Sequence, residues 1–338
     1  MKRAIPSPSP RRMSGLTLIE LMIALILGLL VVGAAIGIFL SNRQVYRATE
    51  NLGYVQENVR IAFELMARDI REAGGNPCVN NLPIANVIND PGTRWWTDLQ
   101  DWGAALRGYA SSEAFPDRAF GTGPAERLSG TDAIQLISGD DTVVTISAHN
   151  AAGNTFTVNT TDHGFSAGDL LLACNSRQAS IFQASSVAGV SVGHAASTGP
   201  GNCTTDLGLV AHGEDCSSRP PFTYAAPNSV MVRLHATRWY VANNPNERPA
   251  LYQSRAAGNT VSNEEVVEGV TGMKLTYLLR DATSYVVASD PSIGSANWRD
   301  VVAVRVELTV ESPDAVGVDG APLERQLIHV VSLRNRNA

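Results

Sequence analysis

An apolar run from Leu16 to Leu40, interrupted only by the charge of Glu20, constrains this chain more than any other feature. Residues 21–40 carry no charge and no proline, and at 1.5 Å rise per residue they span roughly 30 Å, the hydrocarbon thickness of a bilayer. A transmembrane helix is the expectation. Lys2, Arg3, Arg11 and Arg12 precede it with no acid among them, which keeps the leader on the cytoplasmic side and sends the C-terminal part out. The proline-broken leader ends at Gly15, ahead of the hydrophobic segment, so a cut at that junction leaves the helix on the mature chain. A secretory signal cut near Gly33-Ala34-Ala35 is the alternative, but its apolar core is usually about 7–15 residues. An unprocessed anchor is the other. Neither gives Glu20 a reason to exist.

An acid inside the membrane is costly unless paired, so it is a functional hypothesis by default. A cut after Gly15 creates an α-amine at Leu16, one helical turn from Glu20. The amine can neutralise its own Glu20 or that of a neighbouring subunit whose helix stacks with an axial stagger. In the second case the charge is satisfied only in a polymer, and Glu20 becomes an assembly device.

The helical pattern continues past the membrane segment. Val45, Ala48, Leu52, Val55, Val59, Ala62, Met66, Ile70 and Ala73 recur at threes and fours, an amphipathic stripe, with Arg60, Glu64, Arg68 and Glu72 opposite at i+4 steps. Gly74-Gly75 and Asn76-Pro77 end it. Residues 16–73 therefore read as one helix of about 58 residues, roughly 87 Å long. A coiled-coil stalk gives a similar seam. Packing against the chain's own downstream domain is expected instead, because the helix leads into a domain that needs cover. Gly28, Gly33 and Gly37 each lower helix propensity by about 1 kcal/mol relative to alanine, as close-packing sites or as points where the helix loosens.

Beyond Pro77 the pattern becomes β-like, with candidate strands at 133–137, 142–147, 155–158, 170–173, 181–184, 229–241, 251–254, 266–279, 285–288, 301–310 and 326–334. Residues 79–132, with Trp95, Trp96 and Trp102 among turn formers, read as an irregular, partly exposed insertion, and residues 185–227 as loop. The chain has 26 Lys+Arg and 32 Asp+Glu, and removal of a leader holding four of the bases and no acid leaves −10, which disfavours nucleic acid as a partner. The exported part is long enough for its own core, as one domain or two small ones.

Four cysteines, Cys78, Cys174, Cys203 and Cys216, follow the membrane segment, and an even number at an exported address reads as disulfides. Three connectivities are possible. Cys203 with Cys216 closes a short loop and leaves Cys78 with Cys174. The spacings do not suit a compact zinc site. His149, His163, His194, His212, His235 and His329 are scattered, with no metal-building spacing. No Gly-x-Ser-x-Gly elbow and no P-loop occur. Asp140-Asp141 and the Asp290-to-Asp300 loop do not follow an EF-hand spacing. No metal, cofactor or catalytic residue is expected.

Gly15 followed by Leu-Thr-Leu-Ile-Glu-Leu-Met-Ile-Ala-Leu resembles the class III signal of type IV pilins and type II secretion pseudopilins. The resemblance implies that prepilin peptidase cuts after Gly15, that Leu16 is methylated, and that Glu20 is the glutamate of the fifth mature position. Leu16 stands where phenylalanine is commoner. The segments Gln56–Arg60, Leu65–Gly74 with Cys78, Cys174 before Ile181-Phe182-Gln183, Arg248–Tyr252, Asn297-Trp298 before Val301–Val306, and Leu333–Arg336 are similar to the PilW family of type IV pilus minor pilins. Residues of about 80–130 and 185–225 carry no such likeness. The Arg68-Asp69-Ile70-Arg71 motif reads as charges capping a helix end around a core isoleucine, with a subunit contact as the alternative.

The expected fold is thus α+β and type IV pilin-like: leader 1–15, transmembrane and assembly helix 16–40, amphipathic half 41–74, and an exported antiparallel β-rich domain 75–338. The implied function is a minor pilin that primes pilus assembly and sits near the tip. A J-type pseudopilin of type II secretion, or a membrane-tethered periplasmic enzyme or binding module, is the alternative. Implied partners are prepilin peptidase, other minor pilins and the major pilin, the inner-membrane assembly platform, a large tip adhesin and inner-membrane lipid. The implied address is the inner membrane, N-in, with a periplasm-facing domain, and then a cell-surface pilus.

Overall fold

A computed structural model describes residues 15, 17–79, 82–198, 201–210, 216–294, 297–317 and 320–336. Helix α1, Leu18–Glu72, runs without a break for 55 residues, about 82 Å at 1.5 Å each. Among the described residues fifteen strands follow: β1 Ile84–Asn86, β2 Leu106–Tyr109, β3 Ala133–Asn150, β4 Thr155–Val158, β5 Leu170–Cys174, β6 Ala179–Gln183, β7 Ser186–Ala188, β8 Ser191–Gly193, β9 Val230–Asn243, β10 Pro249–Ala257, β11 Thr260–Glu268, β12 Val270–Leu279, β13 Tyr285–Val287, β14 Val301–Glu311 and β15 Glu324–Ser332. The long apolar helix followed by an antiparallel β-rich domain is the expected α+β, pilin-like arrangement.

Two sheets share one core with the helix. In the larger, β3 and β9 pair along most of their length and form a spine with different neighbours at its two ends. The end nearest the helix adds β2, β10 and β11. The far end adds β4, β8 and β7 on the β3 side and β5, β6 and β1 on the β9 side. The smaller sheet has the order β13-β12-β14-β15. Val55, Val59, Ala62, Met66, Ala67 and Ile70 of α1 are buried in one cluster with Ile134, Trp239 and Leu251 of the large sheet and Leu275, Val304 and Val306 of the small one. This burial of helix apolar area against both sheets is what holds the second half of α1 on the domain.

The helix end docks on β3 through its terminators. Gly74 adopts φ +71°, its N–H donates to the Ile137 carbonyl at 2.9 Å, and the Gly139 N–H donates to the Gly75 carbonyl at 2.9 Å. The left-handed φ favours glycine, so the residue that stops the helix also aims the chain at the sheet.

Several sequence expectations need correction. The stripe from Val45 is not buried throughout: Val45 is 61 % exposed, and full burial starts at Asn51, whose amide nitrogen donates to Asp314 Oδ2 at 3.3 Å and whose amide oxygen accepts from the Asp314 N–H at 3.2 Å. The domain reaches only that far along the helix. The expected strands 133–137 and 142–147 are one strand, with a register shift between Gly139 and Val143. The expected strand 266–279 is two, broken at Gly269 (φ +87°), where the chain leaves the large sheet for the small one and a Cβ would lie 2.6 Å from the Glu311 carbonyl. Residues 79–132 are not a peripheral insertion. Trp95 and Trp102 are buried with Leu172, Ile181 and Val232, and the Trp102 indole N–H donates to the Leu82 carbonyl at 2.9 Å. Residues 186–193 form a short hairpin instead of loop.

Candidate assembly site

Two halves of α1 meet opposite environments. From Leu18 to Leu40 every Leu, Ile, Val, Met and Phe side chain is more than half exposed, whereas from Asn51 onward one face is sealed by the domain. The exposed half is long and apolar enough to cross a membrane by length and composition. Exposed apolar area on this scale is not stable in water and requires lipid or other helices around it.

At its start Thr17 is the N-cap and Glu20 lies three residues on. The Thr17 N–H donates to Glu20 Oε2 at 3.0 Å, the Thr17 hydroxyl donates to the same oxygen at 2.8 Å, and the Glu20 N–H donates back to Thr17 Oγ1 at 3.3 Å. This reciprocal pattern is a capping box, legible in the sequence as Thr-x-x-Glu before an apolar run. The sequence reading considered only an amine partner for Glu20 and missed it. Gly15 is exposed, and Leu16 lies outside the described residues.

The Arg68-Asp69-Ile70-Arg71 motif does more than cap a helix. Ile70 is buried, but Asp69 turns inward, accepting from the Trp239 indole N–H at 2.8 Å and from the Gln253 amide at 2.8 Å. Arg68 bridges Glu72 at 3.4 Å and Asp141 at 3.2 Å, and the Arg334 N–H donates to the Arg71 carbonyl at 3.2 Å. Arg336 closes the same region from the C-terminal side, donating to the carbonyls of Trp298, Val301 and Trp102. Asp69→Ala is expected to cost about 2–4 kcal/mol, because it strands the buried Trp239 N–H and removes two bonds to a charged acceptor. Asp69→Asn, which keeps an acceptor oxygen, should cost less; urea unfolding followed by tryptophan fluorescence checks the order.

Cys78 pairs with Cys174 and Cys203 with Cys216, with Cα separations of 6.3 and 6.1 Å. The first bond fastens the segment just after the helix to the central strand β5. Among the described residues no group of three or more His, Cys, Asp or Glu could hold a metal. Asp140 takes Arg233 at 2.6 Å, and Asp290 accepts from the Ser292 hydroxyl at 2.6 Å.

The histidines are less scattered than their positions in the sequence. His149 and His194, on strand β3 and just past β8, meet with Nε2 atoms 3.1 Å apart beside Phe156 and Tyr224. The Tyr224 N–H donates to His149 Nδ1 at 3.2 Å, which assigns the proton to His149 Nε2 and makes His194 Nε2 the acceptor. Burial holds both well below the usual imidazole range, at about 4, so both are neutral at pH 7. The sequence spacing gave no hint of this pair, because two separate hairpins bring it together. His212 lies outside the described residues.

The model of the family described as type IV pilus-assembly protein W matches residues 238–330, and that of the prokaryotic N-terminal methylation motif matches residues 10–36. Over these two segments the chain is similar to a PilW-like type IV pilin. No curated protein and no solved structure matches it. The segment that carries the first match begins at Arg238, supplies Trp239 and Gln253 to Asp69, and contributes Leu275, Val304 and Val306 to the cradle of α1. The second match spans Gly15, Leu16 and Glu20. Both matches therefore bear on the same element, one on its exposed start and one on the surface that grips its end. The apolar first half of α1 and the methylation motif fit a membrane-anchored pilin, and the likeness implies association with other pilins and with the prepilin-processing machinery.

Proposed function

We propose that prepilin peptidase cuts this chain between Gly15 and Leu16, that Leu16 is N-methylated, and that the mature protein is a minor pilin priming type IV pilus assembly from a tip position. The chain then sits N-in in the inner membrane with its domain in the periplasm until assembly carries it to the cell surface. The observation carrying this reading is the division of α1 at Asn51: one half is gripped by the domain while the other offers its whole circumference to neighbours. A tethered enzyme or binding module has no use for an intramembrane acid at the helix start.

Partners of three kinds follow: other minor pilins and the major pilin along α1, the inner-membrane platform that extracts the helix from lipid, and a large adhesin beyond the tip. Below Asn51 the flank of α1 also exposes Tyr54, Ile61 and Leu65, which lie within about 40° of one another on the helix. Leu65 and Val261 of edge strand β11 border the same groove, so that flank is a second contact surface for a neighbouring subunit.

Mass spectrometry of the protein from a cell with active prepilin peptidase tests the processing step. The expected N-terminus is Leu16 bearing one additional methyl group. An intact leader, or a start near Ala35, would overturn it.

A further inference from the structure

We propose that a small cavity between Arg127 and Arg238, beneath the loop that carries Phe115 and Asp117, is a binding site for a monoatomic anion, filled by chloride in solution.

Arg127 is 1 % exposed, and all of its hydrogen bonds go to neutral main-chain carbonyls, those of Glu113 at 2.7 Å, Ala110 at 2.9 Å, Thr131 at 2.7 Å and Tyr109 at 3.4 Å. Arg238 is 3 % exposed; its Nε donates to Gln135 Oε1 at 3.0 Å and its Nη1 to Asp117 Oδ1 at 2.7 Å. The Phe115 ring packs against both guanidiniums, 4.9 Å from one central carbon and 4.2 Å from the other. Two donors remain: among the described residues, Arg127 Nε and Arg238 Nη2 are buried without a hydrogen-bond partner. Unpartnered N–H groups on buried charged side chains are rare in native proteins and point to a bound water or ion.

Arg127 and Arg238 line a cavity of about 20 Å³, together with Asp117, Arg118, Tyr240, Ser254 and Asn263. That is room for one water-sized or halide-sized particle and nothing larger. Hydrogen bonding and charge decide which. Asp117 Oδ1 takes Arg238, and Asn263 Oδ1 takes the hydroxyls of Ser254 and Tyr240. The two unpartnered buried atoms on the arginines of the wall, Arg127 Nε and Arg238 Nη2, are both donors. Three arginines and one aspartate line the cavity, and although Asp132 and Glu113 lie near enough to attract Arg127, neither carboxylate accepts a hydrogen bond from it. A buried cation with no hydrogen-bonded counterion is costly, and a halide supplies both the charge and the acceptor that a water supplies only in part. Burial pulls Arg127 down to about 10 against the attraction of Asp132 and Glu113. The ion would fasten the loop bearing Phe115 and Asp117 onto β9 and β10. Asp117 and Arg238 also line a neighbouring cleft of about 570 Å³, whose wall would then depend on the anion.

The test uses the full chain purified in detergent at constant ionic strength, with chloride exchanged for gluconate, which is too large for the cavity. The expected result is a saturable rise in melting temperature of about 2–5 °C with chloride or bromide and none with gluconate. Asn263→Asp keeps the acceptor that Ser254 and Tyr240 use and builds a carboxylate into the wall, so it should fold and lose the chloride dependence. Crystals grown in bromide should show an anomalous peak between Arg127 and Arg238. Coincident chloride and gluconate curves, an unchanged chloride response in Asn263→Asp, or a water only at that position would each overturn the proposal.

Discussion

Glu20→Gln should insert in the membrane at the wild-type level and be processed, yet fall at least tenfold in its recovery from sheared pili. The argument turns on separating two roles of one side chain. The glutamate closes a capping box with Thr17, a local task that glutamine performs as well, since either side chain can accept from the N-cap N–H. It also places a negative charge at the head of a segment that is otherwise uncharged as far as Leu40. Glutamine keeps the cap and deletes the charge. Thr17→Val does the reverse, removing the hydroxyl that bonds the Glu20 N–H while leaving the carboxylate. If the charge meets the Leu16 amine of a neighbouring subunit, Glu20→Gln and Glu20→Ala fail alike and Thr17→Val assembles. If the carboxylate serves only to start the helix, Glu20→Gln assembles normally and Thr17→Val shares the defect of Glu20→Ala. The measurement is the ratio of shear-recovered to membrane-bound protein, with processing followed on the same samples.

What the sequence made legible follows the range over which its signals act. The helix is a local object: an apolar run, then a stripe at threes and fours, then Gly74-Gly75, and its observed bounds differ from the expected ones by one or two residues at each end. Where the domain lets go of it was not legible, because Val45 and Val55 are the same residue type on the same stripe and only the reach of the Asp314 loop distinguishes them. Strands with clear alternation, such as β4 and β14, were readable. Edge strand β11 was not; Thr260, Ser262, Asn263, Glu264 and Glu265 put polar side chains on both faces around Val261, and pairing with β10 alone defines it. The tryptophans at 95 and 102 looked peripheral among turn formers, but irregular backbone can line a core when each indole N–H has a carbonyl to reach, as Trp102 does at Leu82. The inward bonds of Asp69 and the meeting of His149 with His194 depend on contacts across more than forty residues, for which a single sequence has no periodic trace.

Removing the Cys78–Cys174 bond should destabilise the domain more than removing Cys203–Cys216, by a margin that loop length sets. The sequence separations are 96 and 13, and in the chain-entropy description closure cost grows as three-halves RT times the logarithm of the loop length. That ratio gives about 1.8 kcal/mol between the two. The absolute losses are about 4–5 kcal/mol for the longer loop and about 3 kcal/mol for the shorter. Alanine pairs are the right variants, since Cys174 is fully buried between Leu172 and Ala179 and a serine there would add an unpaired hydroxyl to the loss. Denaturation of the full chain in detergent, by urea with both pairs intact and with each replaced, measures the order. The location of the longer bond reinforces the expectation. Cys78 follows directly on the Gly74-Gly75 contact with β3, and Cys174 sits in the strand beside β9. Opening that bond frees the exit of the helix from the sheet that grips it. Loss of the helix–domain contact ahead of global unfolding, read as early protease cleavage near residues 75–79 in the Cys78→Ala/Cys174→Ala variant alone, is the accompanying sign. Equal destabilisation by the two variants, or the reverse order, would mean that strain or residual structure, and not loop entropy, governs these bonds.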